Sequence, residues 1–210
     1  MHTNKEKLRK WIYAAAAILV VLCVLIRHYG FAPWGFYRAT EEKEANLRQQ
    51  TVAYAESFLG LMESDGSHKP IIDQYNAHEP LAVGYVVQYE DSWCATYVST
   101  VAIGQELTDI IPTECSCERQ IALWQELGRW QEKDSYVPLP GDIIYYDWQE
   151  YRPGDCTGWS DHVGIVVGSK WPFLKVIEGN KDDSVAYRIL RVNDISIRGF
   201  GLPDYASKIQ

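Results

Sequence analysis

Clustered basic residues are missing from most of this chain. Four cations and one acidic residue give residues 1–10 a charge of +3, and because the whole chain carries −8, the remaining residues carry −11. Binding to a phosphate backbone requires clustered lysine and arginine side chains. The charge distribution therefore excludes nucleic acid as the expected partner.

Internal repeats and low-complexity tracts are absent as well. From residue 48 to residue 207 the sequence has the mixed composition of a single globular domain. Aromatic residues are abundant instead, with eight tryptophans and fourteen tyrosines. Such side chains fill hydrophobic cores, and they also line the grooves that hold ligands.

A long apolar run lies near the N-terminus. Residues 11–26 are sixteen uninterrupted apolar residues, which would extend ~24 Å as a helix. A spanning helix needs roughly 20 residues, and the aromatic residues that follow can extend the run into the membrane interface. We therefore predict a transmembrane signal-anchor helix over residues 11–28, with residues 1–10 as a cytoplasmic tail because of their positive charge. Residues 29–47 would link it to an extracytoplasmic domain over residues 48–207, which makes this a single-pass protein of the cell membrane.

Two alternatives for this run fit the sequence less well. A cleaved signal peptide needs an A-x-A-like site soon after the apolar core, whereas the following segment offers only Ala32, and Pro33 comes directly after it. A core helix that is apolar all round needs protein on every side. Whether the segment is removed stays open.

The body of the chain changes from helical to strand periodicity. Apolar residues at spacings of three and four predict one buried helical face within residues 41–64, and further helices are predicted at about 93–106 and 117–130. The predicted helices come first, and the predicted strands, which are separated by turns, come second. This order favours an α+β fold with helices packed on an antiparallel sheet. Residues 198–205 are expected to form a turn-rich tail. The β-rich, period-two patterns predict strands at 142–148, 162–168, 173–180 and 185–192.

Cys94 lies where the second of these helices is predicted to begin. A free cysteine is most often a small buried core residue. The first turn of a helix, however, has unpaired N–H groups and the positive end of the helix dipole, and both favour the thiolate. The same N–H groups can face a developing oxyanion. Cys94 is therefore a candidate nucleophile.

A cysteine nucleophile needs a base and a group that orients the base. Of the five histidines, His162 opens a predicted strand directly after a turn rich in glycine and aspartate; a surface turn histidine is the alternative. On the next strand, alternation places Glu178 on the same face as Leu174 and Val176, where a carboxylate is costly unless it is paired. His162 is its expected partner, and alternation points Asn180 the same way.

Four short segments, in this order, resemble the CHAP family of cysteine, histidine-dependent amidohydrolases and peptidases. They are 93-WCATYVS-99, 140-PGDIIYYD-147, 161-DHVGIVV-167 and 177-IEGN-180. The likeness covers roughly residues 48–205. This family is similar to the NlpC-type peptidases, so the resemblance implies a papain-like fold.

The resemblance also implies roles for four residues. Cys94 would be the nucleophile, His162 the base, and Glu178 and Asn180 the groups that position it. The family cleaves peptidoglycan, so this chain is expected to be an N-acetylmuramoyl-L-alanine amidase or a peptide endopeptidase, without a cofactor. Some members bind calcium, but the sequence has no matching acidic ladder, and no metal site is predicted.

Three tryptophans lie close in sequence to these segments. Trp93, Trp148 and Trp159 are candidates for lining a substrate groove, and packing in the core is the alternative for each.

Of the five cysteines, Cys23 lies within the predicted transmembrane helix as an apolar residue, and Cys115, Cys117 and Cys156 remain without an assigned role. In an extracytoplasmic domain Cys156 could pair with Cys115 or Cys117, which the spacing does not decide, and free thiols are the alternative. A zinc site that also uses His162 is disfavoured, because C-x-C is shorter than the spacing typical of structural zinc sites.

Two other functions stay open at this point. A domain of this kind could bind peptidoglycan without cutting it, although a pure binding module has no need of a nucleophile, a base and an orienting group together. A toxin-like amidase delivered to neighbouring cells would not be expected to carry an anchor. The bond that is cleaved and the oligomeric state are undecided.

Overall fold

The computed structural model describes residue 11, residues 32–149 and residues 158–209. Backbone contacts divide the chain after Ala45, and Asn46–Lys208 form one unit. All residues of the candidate site belong to this unit.

The described residues contain four α-helices. The third of them is the central helix, because Cys94 through Ala102 are buried without interruption, and a helix that is apolar all round must be covered on every side. The helices are α1 (Ala32–Glu56), α2 (Lys69–Asn76), α3 (Cys94–Gly104) and α4 (Cys117–Glu126).

In the part of the chain that the structure describes, an antiparallel sheet of six strands follows the helices. Its strands are β1 (Trp130–Gln131), β2 (Ile143–Tyr146), β3 (His162–Lys170), β4 (Phe173–Lys181), β5 (Ser184–Arg191) and β6 (Ile197–Gly201). Their order across the sheet is β1-β6-β2-β3-β4-β5, and every neighbouring pair is antiparallel. The prediction of an α+β fold with an antiparallel sheet is confirmed.

The sheet separates two apolar clusters. Ile143 and Tyr145 belong to a cluster that also contains the buried residues of α3, whereas Ile144 and Tyr146 belong to a second cluster. Because successive side chains of a strand point to opposite faces, the two clusters lie on opposite sides of the sheet. We call them the helix-side cluster and the far-side cluster.

Two glycines allow the close approaches that build the site. A Cβ atom at Gly179 would lie 2.4 Å from Cβ of Tyr97, and one at Gly164 would lie 2.7 Å from Cγ of Glu178. Both separations are far shorter than normal carbon–carbon contacts. Glycine at these positions lets α3 pack directly on β4 and leaves room on β3 for the Glu178 side chain.

The fold prediction also placed a transmembrane helix over residues 11–28, and the described residues correct it on this point. Within residues 32–149 and 158–209, no helix combines the length and the apolar content needed to cross a bilayer. Residues 12–31, which include nearly all of the predicted span, lie outside the described residues.

Other boundaries also differ from the sequence prediction. The segment expected to be a linker is helical from Ala32 onward, and α1 ends at Glu56 rather than near residue 64, before a turn in which Gly60 has a φ of 87°. The tail expected to be turns contains β6, which pairs with both β1 and β2.

Candidate active site

Cys94 is the first residue of α3, as the sequence predicts. Its side chain lies in the helix-side cluster and is 6% exposed. The first-turn N–H groups of a helix have no partner within the helix, and the backbone N–H of Ala95 interacts with the Cys94 sulfur and helps to lower its pKa. The helix start therefore supplies both a thiolate-stabilising field and hydrogen-bond donors.

A second cysteine lies against Cys94. The sulfur of Cys117, the first residue of α4, is 3.7 Å from the sulfur of Cys94. A hydrogen bond from the Cys117 thiol lowers the pKa of Cys94 well below its ordinary value; burial opposes this shift, and the interaction with His162 adds to it. The same hydrogen bond, together with burial, raises the pKa of Cys117 well above its ordinary value. The contact thus favours the thiolate at Cys94 and the thiol at Cys117.

His162 is the first residue of β3, and its backbone carbonyl accepts a hydrogen bond of 3.1 Å from the hydroxyl of Ser160. Its Nε2 atom lies 3.1 Å from Oε2 of Glu178, which leaves Nδ1 for the thiol. Burial would lower the pKa of His162, but its interactions with Cys94 and Glu178 raise the pKa to about 9. At neutral pH the imidazole therefore carries a proton beside the Cys94 thiolate.

Glu178 is fully buried on β4 and has two cationic partners. Besides His162, the Nε atom of Arg188 on β5 lies 2.7 Å from Oε1 and 3.0 Å from Oε2. Burial would raise the pKa of Glu178, yet the hydrogen bonds to His162 and Arg188 lower it. The carboxylate therefore stays ionised, and its cost of burial is offset on both sides.

Two aromatic rings lie beside His162 on the far side of the sheet. Tyr146, which pairs with His162 across β2 and β3, stacks at 4.7 Å on Trp148 and at 6.0 Å on the imidazole. The guanidinium of Arg188 lies over Trp148, 4.7 Å from the ring centre. These contacts restrict the imidazole to one plane and exclude water from the pair that it forms with Glu178.

Asn180 does not contact His162 in the way that alternation predicts. Its Nδ2 donates to Oε1 of Glu63 at 2.8 Å. The indole Nε1 of Trp93 donates to the same oxygen, also at 2.8 Å. Asn180 has a φ of 55°, which departs from strand geometry and turns its side chain away from the Glu178 face. Together these contacts join the end of β4 to the residue before Cys94.

The three tryptophans lie in different environments. Trp93 is fully buried, so core packing describes it rather than contact with a solvent-exposed groove. Trp148 is 38% exposed and its ring centre is 6.3 Å from that of His162. Trp159 is 73% exposed. Trp148 is therefore the tryptophan of the three that combines exposure with a contact to His162.

Two of the three remaining cysteines lie among the described residues. Cys115 and Cys117 are free thiols, and Cys156 lies outside the described residues. Among residues 32–149 and 158–209, no group of three or more His, Cys, Asp or Glu side chains is arranged to hold a metal ion.

Sequence reasoning missed three contributors to this site. Arg188, Glu63 and the pairing of Cys117 with Cys94 were not anticipated. A fully buried carboxylate has more lone pairs than one histidine can satisfy, so a second cation was to be expected, and Arg188 on the predicted strand 185–192 was available. No sequence signal indicates the other two.

Comparison with known proteins adds little. No protein-family profile and no curated protein sequence matches this chain. Among solved structures, "The crystal structure of Ly7917" matches with a TM-score of 0.34 and 15% identity, over 52% of this chain and 53% of that one. The match spans about half of that protein, and a likeness this low supports no argument about fold or function.

Proposed function

We propose that this protein is a cysteine hydrolase that cleaves an amide bond in peptidoglycan. One observation carries the proposal. Cys94, His162 and Glu178 come from α3, β3 and β4, and they meet with the charges that a nucleophile, an acid–base group and its orienting carboxylate require. The choice of peptidoglycan rests on the four segments that resemble the CHAP family.

The proposed reaction is acyl transfer through a thioester. The Cys94 thiolate attacks the amide carbonyl carbon, and the N–H groups at the start of α3 hold the resulting oxyanion. The proton on Nδ1 of His162 goes to the leaving amine nitrogen as the carbon–nitrogen bond breaks. The neutral imidazole then takes a proton from water, whose oxygen attacks the thioester and releases the acid and the Cys94 thiolate.

Glu178 and Arg188 hold the His162 imidazole in the orientation that both steps of the proposed reaction require. Nε2–H donates to the carboxylate, so the exchangeable proton is fixed at Nδ1. Because Arg188 holds both oxygens of Glu178, the carboxylate cannot turn away when His162 becomes neutral during the first step. Trp148, exposed beside His162, is the surface proposed to contact the sugar–peptide substrate.

Digestion of purified peptidoglycan tests the proposal. The full-length chain, reduced and folded, is incubated with walls of different peptide and cross-bridge types, and mass spectrometry identifies the released fragments. Cys94→Ala is prepared in parallel to reveal contaminating hydrolases. Cys115→Ser is the matched control, because Cys115 is a half-buried thiol whose partner is Glu114.

We expect fragments from the wild type and from Cys115→Ser, and none from Cys94→Ala. Free lactyl groups with new alanine N-termini identify an amidase, and two new peptide ends identify an endopeptidase. If the folded, reduced wild type releases nothing from any wall type, the proposal is overturned and binding without cleavage replaces it.

The pH profile of the reaction is a further prediction. The first step needs the Cys94 thiolate and a protonated His162, whose interactions with Cys94 and Glu178 outweigh burial and set its pKa at about 9. As the pH rises through that value the proton is lost, so kcat/KM should fall with a midpoint near 9. The measurement is kcat/KM on a soluble wall fragment from about pH 5 to about pH 10.

Glu178→Gln provides the control for this profile. The neutral amide no longer favours the imidazolium, so the alkaline midpoint should move to lower pH. An alkaline limb that stays in place in this variant would assign the titration to another group.

A further inference from the structure

The proposed reaction uses one cysteine, yet the site contains two. Cys94 and Cys117 each open a helix, α3 and α4, and their sulfurs are 3.7 Å apart. Both residues are buried, at 6% and 8% exposure. A nucleophile gains a hydrogen bond from any small donor, so acyl transfer alone does not require that the donor be a second thiol.

The two sulfurs are in non-bonded contact, with no other group between them. A disulfide bond is about 2.05 Å long, so the sulfurs must approach each other by about 1.7 Å. A movement of that size needs side-chain rotation and small shifts of the first helical turns rather than refolding. The two residues are 23 positions apart, so the bond would tie the starts of two helices together.

The two sulfurs also differ in the way that stepwise oxidation requires. Cys94 is the thiolate of the pair and Cys117 the thiol. A thiolate reacts with peroxides far faster than a thiol does, and the sulfenic acid that forms condenses with a neighbouring thiol. Cys115 is less suitable as that neighbour, because its thiol lies against Oε1 of Glu114 at 3.5 Å.

We propose that Cys94 and Cys117 are a modification site at which a hydroperoxide forms a reversible disulfide. In the first step the Cys94 sulfur attacks the O–O bond; the sulfur gains one oxygen as sulfenic acid, and the other oxygen leaves as an alcohol, or as water from hydrogen peroxide. In the second step the Cys117 sulfur attacks the Cys94 sulfur, and the hydroxyl leaves with the Cys117 proton as water. Two thiols are oxidised and one peroxide is reduced.

This modification has two consequences for the site. It rests on the proposed function in one respect: the disulfide consumes the nucleophile and so stops hydrolysis. It also keeps Cys94 from further oxidation to sulfinic acid, which cellular thiols do not reverse. A dithiol reductant restores both sulfurs, and with them the thiolate.

Peptide mapping tests the proposal without reference to hydrolysis. The full-length reduced chain is treated with hydrogen peroxide, alkylated without reduction and digested with a protease that cuts after glutamate. The digest contains residues 91–106, with Cys94, and residues 115–118, with Cys115 and Cys117. We expect these two peptides to be cross-linked, with a loss of about 2 Da in the intact protein.

Two matched variants assign the partner, since Cys115 and Cys117 share one peptide. The cross-link should persist in Cys115→Ser and disappear in Cys117→Ser, in which Cys94 should instead gain about 32 Da as sulfinic acid. For each protein, wall hydrolysis after peroxide treatment is compared with that of its own untreated, reduced sample. Dithiothreitol should restore hydrolysis by the treated wild type, but it should not restore hydrolysis by treated Cys117→Ser.

Two results would overturn the proposal. One is a wild-type protein in which Cys94 gains oxygen without forming the cross-link. The other is a cross-link that survives in Cys117→Ser and is lost in Cys115→Ser. If the cross-link forms as expected but the reduced protein digests no wall, the thiol pair stands and the hydrolase assignment fails, so the two ideas are separable.

Discussion

Replacement of Cys94 by alanine is expected to lower kcat/KM for hydrolysis of a soluble wall fragment by about four orders of magnitude or more. The proposed reaction passes through a thioester, and alanine has no atom that can form one. Because the residue is small and 6% exposed at a helix start, the fold should survive the change. The thermal melting midpoint and the absorbance of the thiolate near 240 nm, lost in the variant, complete the measurement.

Cys94→Ser is the conservative partner of this variant. The serine hydroxyl is not ionised by an adjacent imidazolium, so activity should stay within about tenfold of the alanine variant even though the side chain fills the same space. Retention of more than about one-tenth of wild-type activity by Cys94→Ala would show that the attacking group is another residue or water.

Glu178→Ala has the second largest expected effect, and it acts on both stability and activity. Removal of one partner of a buried charge network leaves the others uncompensated, which typically costs 3–5 kcal/mol. The lower end, about 3 kcal/mol, is expected here, because the side chain of Arg188 is 29% exposed and can reach water. Midpoints of urea unfolding at neutral pH measure this loss.

The direction in which this loss of stability depends on pH follows from the pKa of Glu178. Despite burial, His162 and Arg188 lower that pKa in the folded protein. Its stabilising contribution is therefore present above the unfolded value of about 4.3 and is lost as the pH falls through the folded value. Unfolding midpoints of wild type and Glu178→Ala should converge in acid.

Activity separates a positioning role from a purely structural one. Glu178→Gln keeps a hydrogen-bonding group of the same shape and should lose less stability than Glu178→Ala. Its kcat should nonetheless fall by about 10²-fold or more, since the charge that fixes and stabilises the imidazolium is gone. A glutamine variant with wild-type kcat and an unchanged pH profile would reduce Glu178 to a structural residue.

Much of the site was accessible from the sequence because it depends on local periodicity. The start of α3 at Cys94, the start of β3 at His162 and the burial of Glu178 beside Leu174 and Val176 all follow from patterns read over a few residues. Adjacent strands then bring the histidine and the carboxylate together. The antiparallel sheet was predicted for the same reason.

Asn180 lies where the alternation of side chains along β4 no longer holds. Alternation assumes an unbroken strand, but the pairing of β4 with β5 shifts after Glu178, and Asn180 adopts a positive φ. Its side chain therefore contacts Glu63 rather than His162. A bulge of this kind depends on the partner strand, so the sequence of β4 alone does not reveal it.

The C-terminal strand β6 was missed for a different reason. The sequence 198-RGFG-201 looks like a turn because of its glycines. In the structure, however, Gly199 and Gly201 lie directly against Trp130 and Trp124, where a Cβ atom would be within 2.5 Å of each indole. These glycines serve close packing, which depends on tertiary neighbours that no local pattern contains. The 3.7 Å contact between Cys94 and Cys117 has the same origin.

The sheet divides the proposed catalytic groups between its two sides. Cys94 is embedded in the helix-side cluster, whereas Glu178 shares its face with Val176 and Tyr146 of the far-side cluster. His162 joins the two sides, because it interacts with Cys94 as well as with Glu178. The reactivity of the thiol and the basicity of the imidazole are therefore inherited together: over evolutionary time, a substitution in either layer that changes one of them changes the other as well.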